Sequence, residues 1–165
     1  MSQKSILLTR HAKTEQPAPG QSDYSRALTK RGYADCEIIA RELIQIDIVP
    51  DIIISSGAVR AVQTTKAFAQ HFHDAGKSVE LVQESELYLS APETIFEVVK
   101  KYATSHHRLQ IIAHNPGILE AAALLSTGGQ SEAPTCATFH FDVPGEFNFN
   151  KKVSAKHVLF PRLFK

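Results

Sequence analysis

Three short apolar runs set the terms on which this chain can fold: Ser5 to Thr9, Asp51 to Ser55 and Leu109 to Ala113. Each is too short for a buried helix, and the isoleucines of the second suit a strand covered on both faces. Helical patterns lie between them. Cys36, Ile39, Ala40 and Leu43 recur at i, i+3, i+4 and i+7, giving one apolar stripe on a helix that begins near Thr29 and is closed off by Pro50. Ser56 and Gly57 stand where the next helix would begin, and Ala58 to Phe72 reads as that helix. Residues 79–82 make a short strand. Helices follow from about Pro92 to Tyr102 and from Pro116 to Leu125, with a loop at Gly128-Gly129. Ala137 to Val143 and Val153 to Phe160 read as two antiparallel strands joined by a turn around Pro144-Gly145.

Such alternation predicts a three-layer α/β/α sandwich with a mixed, mostly parallel central sheet. At 165 residues the chain fits a single domain, residues 1–165, and it contains no repeat, low-complexity tract or linker that would divide it. The stretch from Arg60 to His114 is filled by helix, strand and helix, which leaves no room for a capping insertion and predicts an open, shallow site. Ile6-Leu7-Leu8 is far too short to span a bilayer, and no signal-peptide pattern precedes it. Cys36 and Cys136 lack metal-binding or redox spacing and read as reduced thiols, which places the protein in the cytoplasm.

The formal charge of +1, from 18 basic and 17 acidic residues, removes the electrostatic case for nucleic acid as a partner. It does not exclude a small cationic pocket. In open α/β sheets ligands bind beyond the carboxyl ends of the strands. Arg10 and His11 follow the first run, Arg60 falls in the first turn after the second, and His114 follows the strand at 109–113. Convergence of these four would give two guanidinium groups and two imidazoles, a set suited to a phosphoryl group. The planar fork of arginine matches two phosphate oxygens. A neutral imidazole can attack phosphorus and form a covalent intermediate, and a second, protonated one can stabilise the transferring oxygens. This set needs neither metal nor cofactor. His71 and His73 do not share a helix face, His106-His107 sits in a polar turn, and no HxH or HExxH pattern carries a supporting carboxylate, so no metal site is expected.

These motifs resemble the histidine phosphatase (phosphoglycerate mutase-like) superfamily. Arg10-His11-Ala12 is similar to its opening signature, Ser56 with Arg60, Ala61 and Thr64 to its second, and His114 to its late strand-end histidine. Within the superfamily the likeness is to the small SixA-type phosphohistidine phosphatases. It rests on Lys13, on Asp23 to Thr29 with Gly32, on Glu86-Leu87-Tyr88 and on Ala113-His114-Asn115-Pro116-Gly117. The chain departs from the pattern at Ala27, Leu89 and Ala113, where the group commonly has proline, an acidic residue and glycine. The resemblance implies a phosphoglycerate mutase-like fold, His11 as the phosphoryl-accepting nucleophile, Arg10 and Arg60 as phosphate clamps and His114 as an electrostatic partner.

The proton donor is the least determined role. Glu86 matches the family position and Asp23 is the other candidate, with Asp23 expected to anchor its loop to Arg26 or to the following helix. A phosphohistidine substrate would need such an acid less than an ester, because the leaving imidazole can depart already protonated. The reading is therefore a phosphatase acting on a phosphohistidine-bearing partner protein through phospho-His11. The alternatives are a phosphatase of small phosphate monoesters that relies on Glu86, and a non-catalytic phosphate-binding module.

Overall fold

The computed structural model describes residues 3–144, 146, 148 and 150–165. Six strands, β1 (Lys4–Arg10), β2 (Ile52–Ser55), β3 (Glu80–Gln83), β4 (Arg108–Ala113), β5 (Thr138–Val143) and β6 (His157–Leu159), form one sheet in the order β3-β2-β4-β1-β5-β6. The first four are mutually parallel, while β5 and β6 run antiparallel to their neighbours. Four helices, α1 (Lys30–Gln45), α2 (Val59–Asp74), α3 (Pro92–Ala103) and α4 (Gly117–Leu125), connect them.

Alternation along each strand sorts the core into two layers. Leu7, Ile53 and Ile112 face α1 and α2, where Cys36, Ile39, Leu43, Phe68 and Phe72 are buried. Ile6, Leu8, Ile52, Ile54, Leu109 and Ile111 face α3 and α4 against Ile95, Val99, Ile118 and Ala121. The three-layer sandwich with a mixed sheet is thus present, and the α1 stripe read from the sequence is its buried face.

The last strand is shorter than the sequence suggests. Val153 exchanges backbone hydrogen bonds with Leu125 and Thr127 at the end of α4, so pairing with β5 begins only near His157. Gly145, at the expected turn, lies outside the described residues. Helix α2 also starts later than Ser56, at Val59, with no side-chain cap on its N-terminus. Among the described residues no helix is long and apolar enough to cross a membrane.

The register of the central strands decides where the strand-end residues go. Arg10 pairs with Ala113 in the parallel ladder, and the His11 N–H extends it by donating to the Ala113 carbonyl at 3.0 Å. Ser56 N–H likewise donates to Ile112. The residues following β1, β4 and β2 therefore emerge side by side at one sheet edge.

Behind this edge, Thr29 caps α1 by accepting the Gly32 N–H and donating to the Lys13 carbonyl. A Cβ at Gly32 would collide with that carbonyl, two residues after His11. Neither partner is a flexible side-chain tip. Gly32→Ala is expected to lower stability by about 1–3 kcal/mol, measured as the shift in urea midpoint, because helix and loop have to separate.

Candidate active site

Each of the four strand-end residues is held by the fold before any ligand is considered. The His11 ring is buried, with Nδ1 2.8 Å from the Ala12 carbonyl. A carbonyl can only accept, so Nδ1 carries the proton and Nε2 presents its lone pair. Arg60 Nε donates to that Nε2 at 3.3 Å. Burial, reinforced by the positive surroundings of His114, Arg60 and Arg10 and opposed by the Ala12 hydrogen bond, lowers the His11 pKa to about 3. His11 is therefore a neutral imidazole of fixed tautomer at physiological pH.

His114 lies beside it, with ring centroids 5.3 Å apart. Its Nε2 is 2.6 Å from Ser56 Oγ, and its Nδ1 is buried without a hydrogen-bond partner. Burial first, and then the charge of Arg60, lowers its pKa to about 4. Arg10 donates from NH1 to the Ala133 carbonyl at 3.1 Å, while its Nε is also buried without a partner. Such unsatisfied buried groups are uncommon in native folds, and these two belong to the residue before His11 and to the ring packed beside it.

Arg60, only 3% exposed, projects from the first turn of α2. Besides His11 it donates to the Asp23 carbonyl oxygen at 2.7 Å and to Asp23 Oδ2 at 2.9 Å. Its own strand-to-helix segment is tied to the His11 loop by Thr64, whose hydroxyl accepts the Ala12 N–H and donates to the Arg60 carbonyl.

Asp23 reaches the site across the loop that follows β1. The expected link to Arg26 is present, at 3.0 Å to Oδ1. Oδ2, however, takes both Arg60 and the Tyr88 hydroxyl, the latter at 2.6 Å. The Tyr88 hydrogen bond, followed by those of Arg26 and Arg60, holds the Asp23 carboxyl well below the usual carboxylate range. Tyr88 in turn stands edge-on to His114, 5.4 Å between centroids, and meets Tyr24 edge-to-face at 4.9 Å. Asp23 and Tyr88 thus roof a site that size alone suggested would be open.

Glu86 lies elsewhere. It is exposed in a short 3₁₀ turn, Ser85–Leu87, where its charge acts on Lys101, and among the described residues no hydrogen bond joins it to the four core residues. Ser56 and Tyr88 enter the site without having been singled out for it. Ser56 carried a signal as part of the second motif, and its hydroxyl both contacts His114 and accepts the N–H of Ala58 just before α2. Nothing in the spacing of Tyr88 indicated that its ring would cover His114. Among the described residues no group of three or more His, Cys, Asp or Glu side chains is placed to hold a metal ion.

Sequence and fold match known proteins. Residues 6–115 match the model of the histidine phosphatase superfamily (branch 1), and the chain belongs to that superfamily. Among solved structures, a protein assigned as the phosphohistidine phosphatase SixA from Agrobacterium tumefaciens superposes with a TM-score of 0.80 at 27% identity, covering 96% of this chain and 98% of that one. A protein histidine phosphatase SixA complexed with tungstate superposes with a TM-score of 0.81 over 98% of this chain and 99% of its own, at 18% identity, a likeness of fold. The phosphoglycerate mutase from Bacillus anthracis shares the fold at a TM-score of 0.62, 12% identity and coverage of 88% and 90%. An uncharacterised chloroplastic protein of Arabidopsis thaliana is 29% identical over 142 residues; the match covers 79% of this chain and 62% of that relative's length.

The two buried imidazoles give the fold a defined acid sensitivity. Unfolded histidine protonates near 6.5, whereas His11 and His114 protonate near about 3 and about 4 in the fold. Between these values the unfolded chain binds more protons, so stability is full above about pH 6.5 and falls as pH drops toward 4 and then 3. Urea denaturation at pH 7 and pH 4.5 is expected to show this loss. His11→Asn should reduce the difference between the two pH values by roughly 1–3 kcal/mol.

Proposed function

We propose that this protein is a phosphatase that removes the phosphoryl group from phosphohistidine in a partner protein, through a covalent phospho-His11 intermediate. The observation that carries this reading is the unprotonated His11 Nε2 facing a pocket in which Arg10 Nε and His114 Nδ1 are buried and unpartnered. Three equatorial phosphoryl oxygens would satisfy both nitrogens and would balance Arg10, together with the part of the Arg60 charge that Asp23, shared with Arg26, leaves over. The whole 165-residue chain would act as one catalytic unit, without metal or cofactor.

In the first step His11 Nε2 forms a bond to phosphorus while the bond between phosphorus and the substrate imidazole nitrogen breaks. The substrate reacts with its phosphorylated ring in the imidazolium form, so the leaving imidazole keeps the proton on its other nitrogen and departs neutral. Arg10 and Arg60 hold the oxygens, and His114 takes up a proton as the anion arrives and stabilises their charge. In the second step water attacks phosphorus, the bond to His11 breaks, and inorganic phosphate leaves with His11 restored.

Substrate class is argued from the carboxylates. The carboxyl that touches the site, Asp23, is held ionised and has no proton to give an alkoxide. Glu86 is exposed and, among the described residues, makes no hydrogen bond to the four strand-end residues. A leaving group that needs no acid fits this arrangement better than an alkyl ester. The fold neighbour assigned as a phosphohistidine phosphatase points the same way.

Several measurements test the reading. Incubation with a phosphohistidine-bearing protein should give turnover that His11→Ala abolishes, and rapid quenching should trap an acid-labile phosphoryl group on His11. Full turnover by His11→Ala would refute the mechanism. Arg60→Ala should lower kcat/KM by roughly 10²–10³-fold, the usual cost of losing one preorganised donor. Glu86→Gln should stay within about twofold of wild type on phosphohistidine. A collapse of monoester turnover in that variant would instead favour the small-ester phosphatase. Phosphate bound without turnover of any substrate would mark a binding module.

Calorimetric titration with sulfate, a tetrahedral dianion throughout this pH range, supplies a separate check. Because the anion raises the His114 pKa from about 4, binding should take up protons near pH 6 and strengthen as pH falls from 8 to 6.

A further inference from the structure

The turn that carries Tyr88 holds a feature that the chemistry at phosphorus does not use. Leu89 has a backbone φ of +49°, one of three non-glycine residues in the left-handed region, and its side chain is 55% exposed. Glycine, asparagine or aspartate occupies that region at low cost. Leucine does not, and here it gains no burial in return.

Both neighbours of Leu89 are fixed by the site. Tyr88 is locked through its hydroxyl to Asp23 and its ring against His114. The Ser90 carbonyl packs so closely on Gly117, the first residue of α4, that a Cβ there would collide with it. Between these two fixed residues the turn passes through a left-handed conformation, and the exposed side chain at 89 directly follows the tyrosine that packs on His114. Tyr24 is exposed too, edge-to-face with Tyr88, its hydroxyl against Gly57.

We infer that Leu89 is a specificity-determining residue that, beside Tyr24, receives an apolar side chain flanking the phosphohistidine of the partner protein. The inference rests on the proposed phosphohistidine activity. A phosphorylated imidazole that reaches His11 has to enter past Tyr88 and Asp23, which brings its polypeptide down onto this rim. Leu89 has no hydrogen-bonding capacity, so it discriminates by desolvation alone: an apolar neighbour of the phosphohistidine gains from covering it, and a charged one loses hydration. A contact of this kind changes kcat/KM without touching the reacting atoms.

The test compares three substrates: free phosphohistidine, a phosphohistidine pentapeptide with leucine on both sides, and the same peptide with aspartate on both sides. Wild type should prefer the leucine-flanked peptide by about tenfold in kcat/KM. Leu89→Asp should abolish or reverse that preference and Leu89→Gly should weaken it, while both turn over free phosphohistidine within about twofold of wild type. Aspartate and glycine suit the local backbone, so neither variant should lower Tm. A flank preference unchanged in Leu89→Asp, with free phosphohistidine still hydrolysed, would overturn the inference alone. Failure of wild type to hydrolyse any of the three substrates would overturn the activity on which it rests.

Discussion

A buried guanidinium is the constraint around which the functional end of this protein is arranged. Arg60 is almost wholly removed from water, and an uncompensated charge in that position would be prohibitively costly. Its compensation recruits distant parts of the chain: His11 from the end of β1, the Asp23 backbone and carboxylate from the following loop and, through that carboxylate, Tyr88 and Arg26. One side chain thereby ties together His11, Tyr88 and the loop that carries both Asp23 and Tyr24. The second arginine, Arg10, has no carboxylate of its own in the site and is aimed by a backbone carbonyl. The pocket keeps a positive surplus even though the molecule as a whole is close to neutral.

This arrangement separates two tasks that acidic residues can perform in phosphoryl transfer. Asp23 has been given the electrostatic one, as a counter-ion to Arg60 and Arg26 and an acceptor for Tyr88. That environment removes its capacity to act as an acid. The proposed reaction fits that limit, because its leaving group carries its own proton.

Much of this was legible in the sequence because it depends on short-range pattern. The apolar runs became β1, β2 and β4, the α1 stripe is buried, and the parallel register brings Arg10, His11 and His114 together at one edge. What could not be read depends on side-chain direction across loops. Tyr88 belongs to a recognisable segment, yet only the packing of Ser90 on Gly117 turns its ring toward His114. Ser56 looked like a helix-start residue because that is its common local role, and its hydroxyl does accept the Ala58 N–H, but the closer contact is with a tertiary partner, His114, that local pattern cannot show. Val153 reads as a strand residue by composition, but the end of α4 captures its backbone groups before β5 can.

The carbonyl of Ala133 accepts hydrogen bonds from both Arg10 and Asn115, and the N–H of Cys136 lies within hydrogen-bonding distance of the Arg10 and His11 carbonyls. All of this bracing comes from a segment beyond residue 115, where the match to the superfamily model stops. The recognisable motifs are consequently not a portable module. A fragment carrying all of them would still lack the struts that aim its first arginine, and sequence drift in the segment from 130 to 137 could retune the phosphate clamp while leaving the signature intact.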